Sequence, residues 1–169
     1  MSNLIGDLEA TTRAMAMDFL ERWKAAALPP IKLTQTLRSF DEQQHLYAMG
    51  RQIPGVPCHH EDGERPVGTC KQHPLGGTVT NAKPGQSAHN WGCAIDVAFV
   101  GADPYPNDPA LWNKVGELME ASGLSWGGPR GVGDKFTWDR PHGENPRWRQ
   151  IAAAEEAKWP ASVRRGGVA

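Results

Sequence analysis

No apolar run in this sequence approaches the length that crosses a bilayer. Its first residues do not form a secretion signal either, because Asp7, Glu9, Arg13 and Asp18 interrupt any hydrophobic stretch. These absences predict a chain made as a soluble protein, cytoplasmic on synthesis, with no membrane insertion. An excess of basic charge is also missing. Lys and Arg number 18 against 19 Asp and Glu, a net charge of −1, so no global field points to nucleic acid. Arg164 and Arg165 alone sit together, near the end, as a solvated tail pair does. Cysteine is scarce and odd in number, with three in the chain, which makes no disulfide framework. There is no internal repeat and no interdomain linker.

What is present suits one folding unit. A chain of 169 residues, 39% of them hydrophobic, can bury a real core but leaves little room for a second one. The reading is a single, monomeric domain over residues 1–169, with a core over about 4–160, a loop insert over about 52–86 and a flexible tail over about 161–169. Trp is frequent, with seven in the chain, suited to a core or to a groove wall.

Periodicity orders the elements. Leu4, Leu8, Met15, Phe19 and Trp23 recur at helical spacing, and Pro29 and Pro30 end that helix. Ile31 to Thr36 alternates Ile31, Leu33 and Gln35 against Lys32 and Thr34, as a strand does. Ser39 with Glu42 three residues on makes a capping box for a second helix that carries Leu46 and Tyr47 and stops at Gly50. Residues 51–86 read as a long loop dense in Gly, Pro, His and Cys. Ile95, Val97 and Phe99 then alternate with Ala94, Asp96 and Ala98, a strand with one apolar face and one face that carries a carboxylate. A third helix begins at Asn107 or Asp108 with Pro109 in its first turn, buries Leu111, Val115, Leu118 and Met119, and ends at Gly123. A glycine-rich turn leads to a short strand around Phe136 to Trp138, and a last helix carries Trp148, Ile151 and Trp159. The order predicts an α+β fold: one small, mostly antiparallel sheet with flanking helices and the functional site at the sheet.

Two segments carry chemistry. One is Ser87-Ala88-His89-Asn90-Trp91-Gly92-Cys93-Ala94-Ile95-Asp96, and the other is Asp139-Arg140-Pro141-His142. Catalytic zinc takes three protein ligands and keeps one position open. His89, Asp96 and His142 would supply nitrogen, oxygen and nitrogen, with Gly92 letting the backbone between the first two bend. Asp139, three residues before His142, could face the same pocket without ligating, where a carboxylate can take a proton from water and hand it to a leaving amine. A His-x6-Asp pair is not specific, however. The same residues would serve as a structural hydrogen-bonded pair, and Asp139 as a turn cap.

The longer pattern is more telling. Ser87-x-His89-x-x-Gly92-x-Ala94-x-Asp96 resembles the first signature of the zinc D-Ala-D-Ala carboxypeptidase and L-alanyl-D-glutamate endopeptidase family (peptidase M15-like), and Asp139-Arg140-Pro141-His142 resembles its second. Arg38-Ser39 followed by Gln43-Gln44, Leu46-Tyr47 and Gly50-Arg51 resembles a segment of the phage endolysin branch, as does Gly123-Leu124-x-Trp126-Gly127-Gly128. The resemblance runs from about Ile31 to His142. It implies Zn2+ on His89, Asp96 and His142, Asp139 as general base, and Arg38 on the substrate carbonyl or its developing oxyanion, where a fixed guanidinium stabilises negative charge. Ser87 would orient a ligand or a substrate amide, or else serve only as a turn hydroxyl. The implied activity is a zinc metallopeptidase that acts on the bacterial peptidoglycan stem peptide. The implied form is an L-alanyl-D-glutamate endopeptidase working as a phage or prophage endolysin on the cell wall after release from the cytoplasm. A D-Ala-D-Ala carboxypeptidase of the same family and a non-catalytic zinc-containing peptide-binding module are the rival readings.

Two departures stand out. Gly143-Glu144 follows His142 where the endolysin branch tends to carry an aromatic residue, and Cys93 stands where the family has a larger aliphatic one. Cys93 reads as a small buried hydrophobe rather than a ligand. In the loop insert, Cys58, His60, Cys70 and His73 could close a second, structural zinc site. A Cys58–Cys70 disulfide formed after release and a plain loop remain the alternatives.

Overall fold

The computed structural model describes residues 1–49, 57–58, 65–66, 78–129 and 139–159. Helix α1 (Ala10–Ala25) begins where the Glu9 carboxylate accepts from the backbone N–H groups of Thr11 and Thr12 at 3.0 and 2.9 Å. The predicted start at Leu4 was too early. Ile5–Asp7 forms a separate 3-10 turn, Leu4 is exposed and Leu8 is buried ahead of the helix. The reason lies in Ser2, whose backbone pairs with Thr36 and Leu37 and holds the first residues extended. Strand β1 (Ile31–Gln35) follows, and Ser39 caps helix α2 (Phe40–Ala48) with the predicted capping box complete on both sides. Two two-residue strands, β2 (Pro57–Cys58) and β3 (Arg65–Pro66), pair with each other. Of the candidate second zinc site, His60, Cys70 and His73 lie outside the described residues, and Cys58 is described by its backbone alone.

Strand β4 (Ala94–Phe99) is the centre of the molecule. Asp108 caps helix α3 (Pro109–Ala121) by accepting from Leu111 N–H at 3.1 Å, with Pro109 at the first position as predicted. The helix buries Trp112, Val115, Gly116 and Met119, while Leu111 and Leu118 pack half-buried against the same core. Strands β5 (Ser125–Trp126) and β6 (His142–Glu144) complete the sheet, and α4 (Trp148–Glu156) closes the described fold. Trp159 lies beyond the end of α4, contrary to the prediction, and its ring stacks on Trp91. The strand expected near Phe136 to Trp138 falls outside the described residues.

The four-stranded sheet has the order β1-β4-β6-β5, and all its pairs are antiparallel, so the α+β expectation holds. One face packs on α1 and α3 through Phe19, Trp23, Ile95, Val97, Phe99, Val115 and Met119. The other face carries Asp96. In β4 only Asp96 is less than fully buried, so its two faces are less different than the alternation suggested.

Register decides what meets Asp96. Asp96 pairs with His142 on β6, and side chains directly opposite share a face. On β1, Leu33 pairs with Val97 but Gln35 pairs with Asp96, so one extra residue lies between them. This bulge moves Gln35 from the Leu33 face to the Asp96 face. The sequence alternation had grouped Gln35 with Ile31 and Leu33; the bulge separates them.

Candidate metal centre

His89 sits in a 3-10 turn, Ala88–Trp91, which Gly92 ends at φ +64°. That conformation suits glycine, and the site is also crowded: a Cβ at Gly92 would lie 2.8 Å from the Asp7 carbonyl oxygen and 3.0 Å from Glu9 N. Gly92 thus lets the signature turn pack against the start of α1, and Glu9 N–H donates to Gly92 O at 2.9 Å. The His89 ring is fixed from behind. Its Nδ1 lies 3.0 Å from the Thr36 carbonyl, which can only accept, so Nδ1 carries the hydrogen. Nε2 then presents a lone pair, 3.3 Å from Asp96 Oδ2.

His142 reaches the same point from β6, with Nδ1 3.1 Å from Asp96 Oδ1. The ligand atoms of His89, Asp96 and His142 all lie within 4.8 Å of one another. His89 Nε2 is buried and has no hydrogen-bond partner among the described residues. A buried ring nitrogen with its lone pair free, facing a carboxylate and a second imidazole, is what a divalent cation with N and O ligands fits. Burial works against an ionised Asp96, but the hydrogen bond from His142 and the closeness of the two imidazoles outweigh it and hold its pKa well below the usual carboxylate range. Burial likewise works against a charged His142, yet hydrogen bonds to Asp96 and Glu144 raise its pKa. The three residues therefore form one electrostatic unit.

Asp139 is tied to the unit through the backbone of Gly127. Its N–H donates to Gly127 O at 3.2 Å, and Gly127 N–H donates to His142 O at 2.9 Å. Trp126 anchors this arrangement by donating from Nε1 to Arg140 O at 2.8 Å. Its ring lies against Gly116 and Gly128, where any Cβ would stand 2.1 and 2.0 Å from indole carbons. The Trp-Gly-Gly segment therefore holds Asp139 to His142 in place. Burial raises the Asp139 pKa; Asp96 adds to the effect, and His142, His89 and Arg38 oppose it.

Arg38 stands between β1 and α2, and its N–H donates to His89 O at 3.0 Å. Its guanidinium donates to Gln43 Oε1 at 2.8 Å and to Gln35 Oε1. Burial lowers its pKa, while the charges of Asp96 and Asp139 raise it. Both of these acceptors are neutral amides, so neither cancels the positive charge. Gln43 is fully buried and passes the restraint on by donating to Ala82 O at 2.7 Å. Asn90 fastens the Arg38 turn to the His89 turn, accepting from Gly85 N–H at 2.9 Å and donating to Arg38 O at 3.1 Å.

Sequence reasoning missed Gln35, Gln43, Asn90 and Thr36. Asn90 lies between Ser87 and Asp96, and Gln43 in the upstream segment that follows Arg38, but nothing in their spacing marks a buried amide. Ser87 precedes the 3-10 turn and accepts from Asn90 N–H through its backbone carbonyl, while its hydroxyl makes no capping bond. Cys93 is buried as expected, and burial pushes its thiol up to about 11. The glycine after His142 packs closely on the core: a Cβ at Gly143 would stand 2.7 Å from Met119 Sδ, so that flexible side chain would have to shift.

Residues 80–144 match the model of a peptidase M15 family described as D-alanyl-D-alanine carboxypeptidase. Over 108 residues the chain is 32% identical to the peptidoglycan L-alanyl-D-glutamate endopeptidase CwlK of Bacillus subtilis (strain 168), covering 58% of this chain and 52% of that protein. The chain thus spans about half the length of CwlK. Among solved structures it resembles the L-Ala D-Glu endopeptidase ChiX of Serratia marcescens, with TM-score 0.50 and 15% identity over 85% of this chain and 84% of that one. It also resembles the LdcB LD-carboxypeptidase, with TM-score 0.54 and 15% identity over 88% of this chain and 64% of that one. At such identities the structural likeness speaks for the fold.

Proposed function

We propose that this chain is a zinc metallopeptidase of bacterial peptidoglycan, a reading supported by the match of residues 80–144 to a peptidase M15 family and by the 32% identity to an L-alanyl-D-glutamate endopeptidase. The observation that carries the reading is the buried, unpartnered Nε2 of His89, which faces Asp96 beside His142. In this reading His89, Asp96 and His142 hold zinc. When bound, the metal supplies a Lewis acid that lowers the pKa of its water to about 7.

The chain's own groups do the rest. Asp139, held by Gly127 and desolvated, accepts a proton from the attacking water and returns it to the leaving amine. Arg38, braced by Gln35 and Gln43, donates to the scissile carbonyl oxygen as negative charge grows there. In this reading Ser87, which precedes the His89 turn, orients a ligand or a substrate amide. The domain reading is a single peptidase domain over residues 1–169.

The substrate we propose is the stem peptide, cut between L-Ala and D-Glu. The match to CwlK supports this cut, as do the Leu46-Tyr47 and Trp126-Gly127-Gly128 segments that resemble the endolysin branch. An endolysin role, as a monomer that reaches the wall after release, is the biological form of this proposal. No described helix is long and apolar enough to cross a membrane. A second reading, D-Ala-D-Ala carboxypeptidase, is favoured by the description of the matching family.

The deciding experiment incubates the purified zinc-loaded protein with muropeptides, with and without chelator, and identifies the products by mass spectrometry. Chelator-sensitive release of peptides that begin with D-Glu supports the endopeptidase. Loss of a single D-Ala supports the carboxypeptidase. No product from either bond in the zinc-loaded protein overturns the enzymatic reading and leaves the peptide-binding module.

A further inference from the structure

The two histidines of the centre are presented in opposite senses. His89 turns Nε2 toward Asp96 and is braced at Nδ1 by a backbone carbonyl. His142 turns Nδ1 toward Asp96, so its brace must act at Nε2. The group there is Glu144, whose Oε2 lies 3.2 Å from His142 Nε2. Strand geometry makes this contact, because residues 142 and 144 of β6 project to the same face of the sheet.

Glu144 is itself held. Its Oε1 accepts from Trp148 Nε1 at 3.1 Å, and Trp148 is buried on α4 among Ala88, Cys93, Ala94 and Ala152. One carboxylate oxygen is thus tied to the second core cluster and the other to the imidazole. Without a cation, Nδ1 also faces a carboxylate, Asp96 Oδ1; once a cation takes Nδ1, the acceptor fixed at Nε2 holds the remaining hydrogen there and keeps the ring turned.

We infer that Glu144 is a positioning residue that, anchored by Trp148, selects the His142 tautomer and ring orientation needed for Nδ1 to ligate a divalent cation. The inference rests on the reading of His142 as a metal ligand. It adds a residue outside both sequence signatures, and it assigns a role to α4, which brings no ligand of its own.

The test measures zinc affinity directly, by competition with a chromophoric chelator, and records the visible absorption of the Co(II)-substituted protein. Glu144→Ala is expected to weaken zinc binding about 10–100-fold and to alter the Co(II) bands. Glu144→Gln, which keeps an acceptor oxygen, is expected to recover most of that loss. Circular dichroism of the metal-free proteins checks that the fold is intact. Should the Ala variant fail to fold, Glu144→Met, which keeps the volume beside Trp148, carries the same expectation. Wild-type affinity and an unchanged Co(II) spectrum in the folded Ala or Met variant would overturn the inference. Wild-type zinc binding that His142→Ala leaves untouched would instead remove the metal-site reading on which the inference stands.

Discussion

Gly127 lies against Asp139 with no room for a side chain between them: a Cβ at 127 would stand 2.7 Å from the Asp139 carbonyl oxygen and 3.3 Å from its Cβ. The same Cβ would lie 3.1 Å from that of His142. Gly127→Ala must therefore push the Asp139 to His142 segment outward, and a forced shift of this kind costs about 1–3 kcal/mol. Turnover is expected to fall at least about tenfold, since misplaced catalytic groups lose more than stability alone reports. Steady-state kinetics beside thermal melts check this. Full activity with an unchanged melting temperature would show that Asp139 does not depend on the close approach.

Asp139→Asn separates proton transfer from metal binding. The substitution keeps the size of the side chain and leaves His89, Asp96 and His142 in place. Zinc content is expected to stay at the wild-type level while turnover drops about 100–10,000-fold. His89→Ala and His142→Ala are expected to lose the metal as well. Metal analysis paired with muropeptide hydrolysis distinguishes the two classes, and an Asp139→Asn variant with wild-type turnover would assign the base elsewhere.

Burial also makes Asp139 a pH-dependent cost. Its pKa is raised in the folded chain, so the folded state holds this proton more tightly than the unfolded state does. Its contribution to stability is fully present below the unfolded value of about 3.9 and is lost as pH rises through the folded value. In the metal-free protein, Asp139→Asn is therefore expected to melt higher than the wild type at pH 7, and the difference should shrink as pH falls toward 4. A difference that grows on acidification would reverse the sign of the shift.

Gly92→Ala tests the signature glycine as a packing element. The left-handed backbone costs a residue with a Cβ about 1–2 kcal/mol, and the contact with the Asp7 carbonyl adds to it. A loss of about 2 kcal/mol or more is expected in urea unfolding, with residues 7–9 displaced. A loss under about 0.5 kcal/mol, the scale of an ordinary surface change, would mean that the N-terminal segment is free to retreat.

Legibility followed the range of the interactions. The Ser39–Glu42 capping box and the Asp108-Pro109 start of α3 were readable because each is closed within four residues. The start of α1 was misjudged because Leu4 and Leu8 continue the apolar period although Glu9 takes the capping role. Strands β5 and β6 are too short to show a period, so His142 was placed by its motif rather than by its strand. Of the second zinc candidate in the loop, only the backbone of Cys58 falls within the described residues.

By itself the sequence determined the kinds of groups available and their local settings: two imidazoles and two carboxylates in two signature segments, a glycine where the turn must reverse, and an α+β order of elements. Convergence was decided in three dimensions. The β4–β6 register puts His142 beside Asp96, the bulge in β1 turns Gln35 toward Arg38, and α4 delivers Trp148 to Glu144. The reason is physical. A one-residue change of register moves a side chain to the other face of a sheet, and register is set by the packing of the whole core, not by any neighbour along the chain.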